Sequence, residues 1–234
     1  MAKAKGFTLI TGKKLFAHKE ILAPIMKAYL SEFQDCSLLE IINPIEGNPE
    51  VDTIPVGFDE TNQAGRIRGD STEDSSLTEG SIRYDVRFYA ISPKGERAKV
   101  IINLEAQSRM GIPGYIIKRG FYYCSRLLSA QKGVEFYNDH HEDIRKVYSI
   151  WICPAPHKGW ENTVNKYEIK ESCLVGNQEE RPEHYDLMTM ILIWLGGEDY
   201  PRYDGVLELL DVLLSVEKQA TEKLDIVEKS FQSL

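Results

Sequence analysis

Period-two alternation on both sides of a glycine-centred turn restricts one part of this chain to a β-hairpin. Residues 81–91 and 98–108 flank the turn Pro93-Lys-Gly-Glu-Arg97. In a strand, residues two apart share a face. Ile82, Tyr84, Val86 and Phe88 therefore form an apolar face, with Arg83, Asp85, Arg87 and Tyr89 on the other. In the second run Ile102, Leu104 and Ala106 are apolar, while Asn103, Glu105 and Gln107 point the opposite way. Pairing symmetric about Gly95 sets Asp85 directly across from Glu105, with Cβ atoms about 4.5–5.5 Å apart.

Like charges facing each other across a strand pair are destabilising, unless one carboxyl holds a proton or a cation lies between them. The reading taken is the cation. Asp85, Glu105 and the backbone carbonyl of Ala106 would hold it, and Gln107 would position a bound water. Hard oxygen donors of this kind suit Mg²⁺, with Mn²⁺ as a substitute. Water made acidic by the ion could then attack a phosphorus while the ion offsets charge developing on the phosphate. The alternative is a solvated strand face on which Arg83 and Arg87 pair with the acids.

The charge distribution bears on the partner. The chain carries a net charge of −8, which argues against nucleic acid. Yet between Lys94 and Lys132 there are eight basic residues and two acidic ones. A basic island around an acidic pair is what a phosphodiester substrate requires, because backbone phosphates supply much of the binding energy.

A further group of motifs follows in order. The run from Tyr84-Asp85 through Gly95 to Ile102-Asn-Leu-Glu105-Ala-Gln107 resembles the D…G…IExQ core of the PD-(D/E)XK nuclease family transposases, relatives of the recombination-promoting nucleases. Ile117-Lys-Arg119-Gly-Phe-Tyr-Tyr123-Cys-Ser-Arg126-Leu, then Gln131, Gly133 and Tyr137, and the strand 147–152, resemble that family's next helix and strand. The likeness covers roughly residues 15–155. It implies an α/β restriction-endonuclease-like core, a mixed β-sheet flanked by helices, and Mg²⁺-dependent DNA cleavage linked to transposition or recombination. Gln107 stands where the wider superfamily usually has Lys, and no acid of the first helix is matched to a further ligand position, Glu20 being a guess. The competing class is a nuclease-fold protein without activity that binds DNA or a protein partner.

Arg119, Tyr123 and Arg126 recur at i, i+4 and i+7, one face of a helix. With Gln131 they could grip DNA phosphate; the other reading is an exposed basic face with Tyr123 half buried. His140-His141-Glu142-Asp143 reads as a polar loop rather than a metal cluster, since adjacent histidines point apart. There is no glycine-rich phosphate loop, hence no nucleotide cofactor, and no serine-nucleophile or zinc-ribbon pattern.

The remaining organisation is coarser. Residues 15–33 predict a first helix with Pro24 near its first turn, 38–45 a short strand, and 46–80 a long polar loop with an extended piece near 51–58. A helix is expected over 115–130, with Gly133 at or beyond its end, and a buried strand over 147–153. Residues 1–155 form the expected core and 156–234 a smaller C-terminal α+β region. Within it 163–174 alternates like a strand, 187–195 is strongly apolar and 203–234 is amphipathic. The leucine-rich 206–216 reads as a packed helix, with a homodimer surface as its other use. The four cysteines lack C-x-x-C spacing and read as reduced, buried small residues. No apolar run reaches the roughly 18 residues of a membrane span, and residues 1–6 are not followed by a signal-peptide core, so a cytoplasmic protein is expected.

Overall fold

The computed structural model describes residues 16, 18–43, 45, 50–51, 73–76, 80–83, 86–91, 97–104, 113–154, 156–196 and 205–214. Helices α1 (Lys19–Tyr29) and α2 (Leu38–Ile42) come first, joined by a 3-10 turn at Ser31–Phe33. Strands β1 (Glu50–Val51), β2 (Glu73–Ser76), β3 (Gly80–Arg83), β4 (Val86–Ile91) and β5 (Arg97–Leu104) follow. Next come α3 (Pro113–Ser129), β6 (Val147–Cys153), β7 (Thr163–Glu168), β8 (Met188–Trp194) and α4 (Val206–Leu214). The class is α/β.

Six strands make one mixed sheet in the order β1-β4-β5-β6-β8-β7, and β2 and β3 pair separately. β1, β4 and β5 run antiparallel; β5, β6 and β8 are mutually parallel; β7 closes the other edge antiparallel to β8. Val147-Tyr-Ser-Ile-Trp-Ile-Cys153 is buried along its whole length, and β8 is buried from Thr189 onward. A near-continuous apolar run is what a central parallel strand covered on both faces requires. One face sends Tyr148, Ile150, Ile152, Ile191 and Ile193 into a core with α1, α2 and α4. The opposite face sends Val147, Trp151, Met190, Leu192 and Trp194 against Ile116, Tyr123, Cys124 and Leu127 of α3.

The sheet runs straight through the expected boundary at residue 155. β8 lies beside β6, and the apolar residues of α4 are buried in the same core as those of α1. The strongly apolar run 187–195 is thus a central strand of the main sheet rather than part of a separate accessory region. Its apolarity on both faces is the reason.

Three local expectations are corrected. Residues 38–42 form a helix, because Ser37 and Glu40 make a capping box: Ser37 Oγ accepts from Glu40 N, and Ser37 N donates to the Glu40 carboxylate at 2.8 Å. Pro24 lies at the sixth position of α1, beyond its first turn. The expected continuous strand 81–91 is divided, since β3 pairs with β2, setting the Glu73 position opposite that of Arg83, while β4 pairs with β1 and β5.

The register of β4 on β5 also differs from symmetry about Gly95. Phe88 pairs with Val100 and Val86 with Ile102, so each residue meets a partner two positions earlier than expected, and the symmetric register on which the direct Asp85–Glu105 opposition rested is not the one observed. A slip of two preserves the side-chain period, so residues expected to share a face still share it. Phe88 and Ala90 are buried on the α1 side, as the alternation requires. Among the described residues no helix is long and apolar enough to cross a membrane.

Candidate functional site

Asp85, Glu105, Ala106 and Gln107 lie outside the described residues. Their sequence neighbours do not. Val86 is the first residue of β4 and Leu104 the last of β5, and both belong to the end of the strand pair remote from Ile91 and Arg97, where Val86 pairs with Ile102. On the other side of β5, Asn103 pairs with Trp151 and Leu104 with Ile152 of β6. Trp151 belongs to the set that faces α3.

α3 lays a cation over this part of the sheet. The Arg119 guanidinium sits 5.3 Å from the centre of the Trp151 ring and 5.2 Å from that of Tyr123. Its Nε and Nη2 both donate to the Tyr123 hydroxyl, at 2.9 and 2.7 Å. Tyr123 in turn packs its ring 5.6 Å from Trp151. Contacts between a guanidinium and aromatic faces are worth about 0.5–2 kcal/mol each. The combination fixes the Arg119 head group at the end of β6 beside which β5 stops.

The i, i+4, i+7 set is rotated toward the sheet rather than toward water. Tyr123 is buried, and Arg126 is only 6% exposed and donates from Nη1 to the Tyr122 hydroxyl at 3.4 Å. The reason lies at Gly120, where a Cβ would come within 2.4 Å of Met190 Sδ. The absent side chain lets α3 approach β8 and turns Ile116, Tyr123, Cys124 and Leu127 inward, with Ile117 and Leu128 partly buried at the margin of the same cluster.

Gln131 has an internal role. Its side chain is fully buried, donating from Nε2 to Arg145 O at 2.8 Å and accepting from Arg145 N at 2.7 Å. The amide that the sequence offered as a phosphate contact is engaged with backbone instead. Nearby, the Tyr89 hydroxyl donates to Glu135 at 2.6 Å, tying β4 to the segment after α3.

His140 and His141 occupy an exposed turn, His140 Nδ1 lying 2.9 Å from Glu142 Oε1, and the hydrogen bond it donates to the Glu142 carboxylate raises the His140 pKa. Among the described residues no group of three or more His, Cys, Asp or Glu could hold a metal ion. Glu20 is exposed in the first turn of α1, a helix that packs on the face opposite α3.

One cluster carried no sequence signal. Lys146 Nζ lies 2.6 Å from Asp186 Oδ2 and 3.4 Å from Glu32 Oε1, and sits 4.9 Å over the Tyr148 ring. The Tyr148 hydroxyl donates a very short hydrogen bond to Glu32. Burial pushes the Glu32 carboxyl up, but Tyr148 and Lys146 outweigh it and hold the group below its ordinary value. Burial, then the Glu32 charge, pushes the Tyr148 phenol far up. The cluster stands where β6 and β8 begin, the end of the sheet opposite Leu104. Glu32 lies 116 residues from Tyr148, and Asp186 lies 40 from Lys146, so no local spacing announces the cluster. Comparison of the chain with protein-family models, with curated proteins and with solved structures found no match.

Proposed function

We propose that the chain is a Mg²⁺-dependent DNA endonuclease built on a restriction-endonuclease-like core and associated with transposition or recombination. The observation that supports this reading is the paired end of the β4–β5 hairpin. Val86, next to Asp85, pairs with Ile102; Leu104, next to Glu105, lies two residues further along β5 beside Ile152 of β6, and α3 sets Arg119 on the face above that adjoining strand. The succession of helix, antiparallel strand pair, helix and parallel strand agrees with the core that the sequence resemblance implies.

The donor set of Asp85, Glu105 and the Ala106 carbonyl is of the hard-oxygen kind that takes Mg²⁺ or Mn²⁺. A bound ion would supply a water of lowered pKa and neutralise charge on the phosphate. Gln107 would orient that water. Arg119, held against Tyr123 and Trp151, would offer its guanidinium to the DNA backbone, whereas Arg126, buried against Tyr122, adds no surface contact.

Incubation of the purified protein with supercoiled plasmid and Mg²⁺, beside Asp85→Asn and Glu105→Gln, tests the reading. Wild type is expected to nick, and each variant to lose about a hundredfold or more in rate. Equal nicking by all three proteins would sink it. DNA binding that is indifferent to metal, with no cleavage, would favour the non-enzymatic alternative, to which Gln107 in place of a lysine is suited.

A further inference from the structure

The outward stripe of α3 has an unusual make-up for a solvated helix face. Its exposed residues at successive turns are Tyr115, Lys118, Tyr122, Ser125 and Ser129. Tyr115 is 54% and Tyr122 46% exposed. An ordinary outward stripe is charged and polar, and this chain has 36 acidic residues to draw on. None lies anywhere in α3, whose charged residues are Lys118, Arg119 and Arg126. Two exposed rings seven residues apart stand about 10 Å apart along the helix axis, at 1.5 Å per residue. Between them lies an exposed lysine.

The charge decides the occupant. Within a chain of net charge −8, a 17-residue helix that carries no anion, exposes Lys118 on its outward stripe and leaves Arg119 part-exposed beside it is complementary to a polyanion. Exposed aromatic faces interleaved with cations are the arrangement that binds unpaired nucleic acid, since every base offers a π-face and backbone phosphates meet the cations. Duplex DNA buries its base faces and would use only the cations. The helix also leads toward the candidate hydrolytic site. It is the next described element after β5, and Arg119, one turn beyond Tyr115, reaches the Trp151 end of β6.

We infer that Tyr115, Lys118 and Tyr122 form a stacking platform for an unpaired DNA strand, which α3 delivers toward the β4–β5 hairpin end. This names the substrate class of the proposed nuclease and rests on that reading only for the cleavage that would follow binding. Tyr115 and Tyr122 would stack successive or near-successive bases, and Lys118 would meet the phosphate between them.

Fluorescence anisotropy with a labelled oligo-dT strand and a duplex of equal length, both in EDTA, separates binding from cleavage. The full chain is expected to bind the single strand more tightly than the duplex. Tyr115→Ala and Tyr122→Ala should each weaken single-strand binding by roughly tenfold, while Tyr115→Phe and Tyr122→Phe, which keep the ring, should stay near wild type. Duplex binding should change little in the alanine variants. Unaltered single-strand binding by both alanine variants, a preference for duplex, or no oligonucleotide binding at all would each overturn the platform. Intact platform binding in a wild-type protein that with Mg²⁺ cleaves neither the oligo-dT strand nor plasmid would defeat the nuclease reading alone; cleavage, with alanine variants that bind like wild type, would defeat the platform alone.

Discussion

The Gln131 amide and the Arg145 backbone close a ring of two hydrogen bonds, at 2.8 and 2.7 Å, in a place that water does not reach. The ring joins the segment after α3 to the approach to β6, and so fixes where the central strand begins. Gln131→Leu preserves bulk but strands the N–H and C=O of Arg145. Each buried group left unpaired costs about 1–3 kcal/mol. A loss of about 2–4 kcal/mol in denaturant unfolding is expected. A variant as stable as wild type would show that the two hydrogen bonds do not hold this junction.

Gly120→Ala weighs two opposing effects. Alanine in a helix interior gains about 1 kcal/mol over glycine, but the new Cβ would meet the Met190 thioether at 2.4 Å. Met190 is fully buried among α3 and its neighbouring strands, so it has little room to retreat. Overpacking of this kind costs about 1–3 kcal/mol, and the net result should be a loss of roughly 1 kcal/mol. In a Met190→Ala background the same substitution should become neutral or stabilising. A double-mutant cycle by thermal unfolding reads the coupling; additivity would show that α3 does not bear on β8 at this point.

The legibility of this fold differs between its parts for identifiable reasons. β6 was readable to the residue, because seven consecutive positions of Val147-Tyr-Ser-Ile-Trp-Ile-Cys153 are buried and prolines follow. α3 was readable within two residues at its start and one at its end, but its rotation was not. The inward stripe depends on Gly120 meeting Met190, a contact across 70 residues that periodicity cannot encode. α2 was misread as a strand although Ser37-Leu-Leu-Glu40 carries a helix-start signal, since Leu38 to Ile45 outweighed it by apolarity. β8 was taken for part of an appendage because strand neighbourhood in a parallel sheet is non-local. At the candidate site, Arg119 and Tyr123 were legible as a pair from their i, i+4 spacing, whereas the internal engagement of Gln131 depends on Arg145, fourteen residues away.

Lys146 is the cation between Glu32 and Asp186, and all three side chains keep only 15–19% exposure. Lys146→Met leaves two carboxylates without it. Breaking a fully buried pair costs about 3–5 kcal/mol; with this residual exposure about 2 kcal/mol is expected. The pH dependence has two limbs. The folded Glu32 pKa lies below its ordinary 4.5, so its stabilising contribution is present above that value and disappears as pH falls through the folded value. Tyr148 is raised, and Tyr29 is pushed up by burial to about 12, so their contributions are complete below pH 10 and are lost as pH climbs past it. Thermal unfolding from pH 3 to 11 should show a plateau with a fall at both ends, and Tyr148→Phe should soften the alkaline fall while Tyr29 retains the remainder. An alkaline limb identical in Tyr148→Phe would count against the Tyr148–Glu32 contact.

The cysteines give a chemical reading of burial on both faces of the sheet. Cys36 lies in the core with α1, Cys124 and Cys153 lie under α3, and Cys173 is exposed, contrary to the expectation that all four are buried. All four are free thiols. Burial pushes the Cys124 thiol up to about 12 and also raises Cys36, and a thiol reagent attacks the thiolate. In native buffer at pH 8, a chromogenic disulfide reagent should therefore titrate one thiol quickly, and Cys173→Ser should abolish that phase. In guanidinium all four should react together. Two or more fast thiols in the native protein would mean that α3 or α1 lifts from the sheet far more often than a packed core allows.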